Sequence, residues 1–276
     1  MDAVVFGFAL TLIAGVATGV GGLAALFSSR ANKKFLSACL AFSAGVMLYV
    51  SFAEILLEAF EALEYDFGEG TGYLIATVAF FAGILIMVII DKFVPHSDEV
   101  TEINEDTPIN TDNTSLSASD EKGLKRTGIM SAVAIGIHNF PEGVITFMAT
   151  IYDPAMGVAI AIAIIIHNIP EGIATAAPIY YATGSKPKAF AISLSSGLVQ
   201  PVGALFAWFL LQNVFENIEP IFGIAFAAVS GIMVFVAIHQ LLPAAHKFGN
   251  RHSVMGWLFG GMIVMAFSLV VLEFVF

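Results

Sequence analysis

Apolar residues fill this chain in blocks of about 20, the length that crosses a bilayer's hydrocarbon layer as a helix. Eight such blocks stand out, at residues 3–27, 35–60, 72–91, 128–151, 155–182, 188–212, 219–241 and 253–276. A membrane barrel would instead need alternating segments of about 10 residues. The pattern predicts an all-α integral membrane protein with eight transmembrane helices. The first block opens on MDAVVFGF, without a basic leader, and reads as a retained helix rather than a cleaved signal. One long interruption remains, at 92–127. Its middle, SDEVTEINEDTPINTDNTSLSASDEKG, is polar and acidic and predicts a disordered loop. It separates three helices in 1–91 from five in 128–276, all parts of one membrane domain.

Composition agrees. Of 276 residues, 58% are hydrophobic and 12% charged, about half the charge of a soluble domain. Charge placement adds orientation. The 11 Lys and Arg occupy alternate gaps: Arg30, Lys33 and Lys34, then Lys92, Lys122, Lys125 and Arg126, then Lys186 and Lys188, then Lys247 and Arg251. Basic loops face the cytoplasm, so both termini are expected outside. The net charge of −11 carries no basic stripe suited to nucleic acid. The single Cys39 reads as a small buried hydrophobe.

Two hexapeptides break the apolar pattern: HNFPEG at 138–143 and HNIPEG at 167–172. Each lies mid-block, and consecutive blocks run antiparallel, so both fall near the membrane midplane. Residues i and i+4 share a helix face. His138 pairs in this way with Glu142, and His167 with Glu171; Asn139 and Asn168 lie on adjoining stripes. Two facing helices would gather two imidazoles, two carboxylates and two amide oxygens. Such a set suits a first-row divalent metal: zinc, iron, manganese or cobalt over magnesium or calcium. Pro141 and Pro170 remove backbone donors and free the carbonyls of Ile137 and Ile166. Interrupted helices meeting at the midplane are a common way to build a transport site. Ionisable groups at this depth are functional by default; the alternative is a polar pair that only joins two helices.

The doubled motif resembles the ZIP (Zrt/Irt-like) family of metal-ion transporters, and most closely its bacterial ZupT- and GufA-like branches. AFSAGVMLYVSFAEILLEA, DKFVPHSD, PIYYATGS and SGLVQPVGA add to the likeness, which covers nearly the whole chain. The resemblance implies a 3+2+3 arrangement of eight helices and a binuclear site. His138, Glu142, His167 and Glu171 match one metal position. Asn139, Glu142, Asn168 and Glu171 match the second. Met47 either lines the site or fills a core gap. Glu54 either admits metal from outside or faces other spans. The close branches commonly carry Glu where this chain has Gln200, a neutral and weaker ligand, which casts doubt on the second position. Ser193, Ser196 and Gln200 form a polar stripe toward the pathway. HQLLP replaces an acidic pattern, so His239 with His246, and with His96, forms either a cytoplasmic release site or a set of solvated histidines.

These readings imply an importer of zinc, with iron, manganese, cobalt and cadmium as further substrates, in the cell (inner or cytoplasmic) membrane. It would be no enzyme and use no organic cofactor. The family is thought to move helices one, four, five and six against two, three, seven and eight. Glycines at 15 and 19, and at 256 and 260, suit tight packing between helices or between the copies of a homodimer. Rival readings are a proton-coupled solute transporter, an intramembrane metalloenzyme or a metal-gated structural protein with no flux; the order HxxxE, rather than HExxH, argues against a zincin. Metal must displace protons from two imidazoles. Uptake should therefore weaken as the outer side is acidified across about pH 8 to 5, a range spanning the ordinary His pKa. A flat pH profile of zinc flux would contradict this.

Overall fold

A computed structural model describes residues 3–27, 32–93, 118–152, 154–213 and 219–275. Within them every regular element is helical. Eight helical rods follow one another: α1 (Ala3–Ala25), α2 (Lys33–Phe67), α3 (Glu69–Phe93), α4 (Ala118–Tyr152), α5 (Pro154–Thr183), α6 (Lys186–Gly197 and Val199–Asn213), α7 (219–248) and α8 (Arg251–Val275). Seven of them are long and apolar enough to cross a membrane. The exception is α4, which carries Asp120, Glu121, Lys122, Lys125 and Arg126 at one end and HNFPEG in its middle.

Local chemistry sets several ends. Asn32 caps α2 by accepting from the Phe35 amide at 3.0 Å. Ser185 caps α6 at the Lys188 amide, with Pro187 in the first turn. Gly68, at φ 81°, turns the chain between α2 and α3 in a conformation that favours glycine. In α6, Pro201 has no N–H for the Gly197 carbonyl, and the rod divides at Leu198.

Two departures from the sequence expectation matter. Residues 118–127, expected in the disordered loop, form the first turns of α4. Asp120 and Glu121 suit the positive end of its dipole, and Asp120 and Arg126 find partners on α7 and α3. Secondly, α4 and α5 run unbroken through Pro141 and Pro170. The helix irregularities lie elsewhere, as π-helical turns at Ser51–Ile55 in α2 and Val236–Leu241 in α7. A π turn shifts the backbone bonding by one residue. Here the Ser51 carbonyl accepts the Ser230 hydroxyl of α7 at 2.8 Å.

The distribution of residues is inverted relative to a soluble protein. Leu74, Val78, Phe81, Ile263 and Phe267 are more than half exposed, while Glu171, Asn168, Asn139 and Ser193 are fully buried. Apolar helix faces turned outward around a polar interior belong in lipid.

The rods pack as two groups of four: α1, α4, α5 and α6 in one, α2, α3, α7 and α8 in the other, meeting chiefly where α2 crosses α5 and α4 crosses α7. Glycines show why each group holds together. A methyl group at Gly143 would overlap the Gln200 carbonyl; at Gly172, that of Thr18; at Gly197, that of Gly15. In the second group Gly45 lies on Leu258, Gly83 on Ala228 and Gly231 on Phe80 in the same way. Among the described glycines, each close contact with another helix stays within one group. Backbones thus touch inside each bundle, and side chains mediate between bundles. A crevice of about 900 Å³ lies along that boundary, lined by Ile86, Ile129, Ile137, Phe140, Val199 and Ile232.

Gly15 and Gly19 are accordingly used within the chain, against Gly197 and Leu194, whereas a Cβ at Gly256 or Gly260 would meet nothing. Gly45→Leu should therefore cost several kcal/mol, since backbone cannot yield to an inserted side chain as core side chains do. Gly256→Leu should stay within about 0.5 kcal/mol. Thermal melting of the two purified variants in detergent checks the contrast.

Candidate metal centre

The two hexapeptides meet where α4 crosses α5. Both Glu142 and Glu171 are buried, as are His138 and His167, each at most 6% exposed. His167 Nε2 lies 2.6 Å from Glu142 Oε1. A carboxylate only accepts, so the imidazole Nε2–H is the donor. His138 Nε2 approaches the same oxygen at 2.8 Å, off hydrogen-bond geometry, and lies 3.5 Å from Glu171 Oε1. The two rings stand 5.9 Å apart. Among the described residues, His138, Glu142 and His167 are the one group of three with ligand atoms all within 4.8 Å of each other. Glu171 adjoins this group through His138.

The second carboxylate is differently placed. Neither Glu171 oxygen has a hydrogen-bond partner, and the side chain is fully buried. The two asparagines are oriented by their nitrogens. Asn139 Nδ2 donates to the Ser196 carbonyl at 2.9 Å, and Asn168 Nδ2 to the Ala14 carbonyl at 2.8 Å. Each Oδ1 is buried without a partner. With the donor side of each amide occupied by backbone, the acceptor side remains for a cation. Leaving such groups bare in an apolar interior costs several kcal/mol. This donor set fits a divalent transition metal.

Gln200 enters the site as a donor. Its Nε2 gives a 2.7 Å bond to Glu142 Oε2, and its Oε1 lies 3.4 Å from Asn168 Nδ2. The other members of its stripe do not reach the carboxylates. Ser193 Oγ binds the carbonyls of Thr18 and Gly172, and Ser196 Oγ that of Ser193. Ser193 thus joins α6 to α1 and α5, and the Ser196 bond stays within α6.

The remaining candidates are dispersed. Met47 is fully buried in the main apolar cluster. Glu54 sits in the π turn of α2, within electrostatic reach of His167, Glu142 and His138. Glu58 and Glu61 continue up the same face at i+4 and i+7. His239 stacks on Phe235 with ring centroids 4.7 Å apart, and its Nδ1 is 3.2 Å from Gln240 Nε2. His246 is half-buried near the end of α7. His96 lies outside the described residues.

Sequence reading missed three contacts. Ser43 Oγ of α2 binds the Pro170 carbonyl at 2.9 Å, joining the second bundle to the motif itself. Asp91 Oδ1 of α3 holds both Arg126 Nη2 of α4 and Gln240 Nε2 of α7, each at 2.7 Å. Lys247 of α7 pairs with Asp120 of α4 at 2.5 Å. A faint signal existed for the second: Asp91 and Arg126 stand at facing block ends.

Comparisons with known proteins identify the family. The sequence profile of the family described as "ZIP Zinc transporter" matches residues 2–125 and 104–269. The "Zinc transporter ZupT" of Lysinibacillus sphaericus is 51% identical over 269 residues, covering 98% of each chain. That of Chlorobaculum parvum is 49% identical over 268 residues, covering 97% of this chain and 98% of its own. That of Clostridium perfringens is 45% identical over 277 residues, covering 98% and 96%. Matches of this extent, around a site built from both HNxPEG motifs, make the chain a member of the ZIP family.

Proposed function

We propose that the chain carries zinc across the cell membrane into the cytoplasm, with His138, Asn139, Glu142, His167, Asn168 and Glu171 holding the ion. ZIP proteins are transporters rather than enzymes, and the chain is a multi-pass membrane protein of that family. The observation that carries the reading is Glu171: a fully buried carboxylate neither of whose oxygens accepts a hydrogen bond, in a site with two imidazoles and two amide oxygens that likewise accept none. A dication offsets the charge of both glutamates at once, and its loss of water is made up by their oxygens.

In this reading all eight rods span the membrane, both termini lie outside, and residues 94–117 join the bundles on the cytoplasmic side. The span blocks 1–91 and 128–276 then serve one membrane domain. Zinc enters along Glu61, Glu58 and Glu54 on α2, whose carboxylates lead from the surface toward His167. Transport proceeds as α1, α4, α5 and α6 move against the other four helices. Three polar ties join the two bundles at the end bearing the basic loops: Arg126–Asp91, Lys247–Asp120, and the Tyr181 hydroxyl donating to the Asn32 carbonyl at 2.9 Å. They act as the inner gate and must open for release, past His239 and His246. Iron, manganese, cobalt and cadmium fit the same donors.

Proteoliposome uptake of each of these ions tests the proposal. Zinc should accumulate, and zinc efflux from the same vesicles should depend on the same residues. A protein that moves none of the five ions would end it.

A further inference from the structure

We infer that Gln200 restricts the buried site to one divalent ion at a time; the inference rests on the metal-carrier reading above. The two hexapeptides are near copies, so their symmetry alone would provide two equivalent carboxylates, each able to bridge a pair of ions. The structure makes the pair unequal. Glu142 is saturated: Oε1 faces the Nε2 atoms of both histidines, and Oε2 accepts the Gln200 amide at 2.7 Å. Glu171 is bare.

The Gln200 amide occupies the Glu142 oxygen that a second cation would need as a ligand. Its N–H hydrogens bear partial positive charge and point at the oxygen such an ion would take. Turning the amide over is opposed, because that would set Oε1 against a carboxylate oxygen and Nε2 against the Asn168 amide nitrogen. Gln200 is 1% exposed, so giving up this bond would leave a buried carboxylate oxygen without its partner.

Charge gives an independent reason. Two glutamates neutralise one dication. A second would leave two positive charges in a volume screened from water, with Glu54 within electrostatic reach of the histidines and Glu142 but not in contact with them. Buried uncompensated charge is strongly unfavourable. A carboxylate at position 200 would change both terms together. It would accept rather than donate, and it would add the missing negative charge. Gln200 therefore determines ion number, while the ligands above determine ion type.

The test is zinc stoichiometry on purified full-length protein, by equilibrium dialysis against Zn²⁺ with elemental analysis. Ions retained by the Glu142→Ala, Glu171→Ala double variant are subtracted as binding elsewhere. Wild type should bind one ion per chain at this site. Gln200→Glu should bind two, and anomalous scattering from zinc-soaked crystals should show one peak and two, respectively. Two site ions in wild type would overturn the inference whatever the variant does, so it stays falsifiable if Gln200→Glu folds poorly. A well-folded Gln200→Glu with a single ion would also overturn it. Failure of wild type to bind any site ion would instead remove the carrier reading itself.

Discussion

A Glu142→Ala protein should carry no measurable zinc into proteoliposomes, and its affinity for the ion should fall by at least about 100-fold. Glu142 is the one side chain that touches both imidazoles and Gln200. Removing one partner from a buried ionic group costs about 3–5 kcal/mol, and each 1.4 kcal/mol is about tenfold in binding. The loss exceeds that of one ligand among several, because His167 loses its hydrogen-bond acceptor and His138 loses the carboxylate 2.8 Å away. Glu142→Gln separates the two contributions: it keeps shape and an acceptor oxygen but removes the charge. Isothermal titration with zinc should rank wild type above Glu142→Gln above Glu142→Ala. Wild-type flux in Glu142→Ala would exclude the site.

The second large effect concerns the proposed inner gate. Arg126→Ala should raise the exposure of the Arg126 end of α4 by about tenfold. Asp91 accepts the Arg126 guanidinium twice, once at Oδ1 and once at its backbone carbonyl at 3.1 Å. The pair is partly exposed, at 17% and 10% of the two side chains. Its loss is thus set at roughly 1–2 kcal/mol, between the surface and buried limits. A thiol reagent that cannot cross the membrane, applied to inside-out vesicles, reads the change at Thr127→Cys, a position 7% exposed in this structure. Asp91→Asn should act in the same direction, since Gln240 keeps its acceptor while Arg126 loses the charge. Unchanged labelling in both variants would show that the ties do not close the path. Zinc affinity measured on the same proteins should stay near wild type, because neither residue touches the ion.

Much of this architecture was readable from pattern alone. Period and block length located the helices, since lipid leaves the backbone only helices or closed barrels and the blocks are too long for barrel strands. Both hexapeptides pointed to their site because an apolar setting makes any polar side chain conspicuous. Other features had no local signature. The helical start at 118–127 depends on Asp91 and Lys247, far away in sequence, so acidic composition alone read as disorder. Prolines 141 and 170 suggested breaks, yet each helix continues, because one missing donor is tolerated where neighbouring helices pack closely. The π turns carry no proline or glycine to announce them. The donor role of Gln200 follows from which carboxylate faces it, and composition is silent on that.

The close glycine contacts also bear on how the chain is assembled. Neither bundle is continuous in sequence: one draws on the first helix and then the fourth to sixth, the other on the second, third, seventh and eighth. During synthesis α1 must wait in the membrane, with Gly15, Gly21 and Gly22 uncovered, until α5 and α6 arrive. The second and third helices wait longer still, for α7 and α8. The two halves on either side of the 94–117 connection are therefore woven together rather than placed side by side. Cutting that connection would leave a two-fragment protein that stays whole, whereas either fragment made alone would have its glycine seams open to lipid.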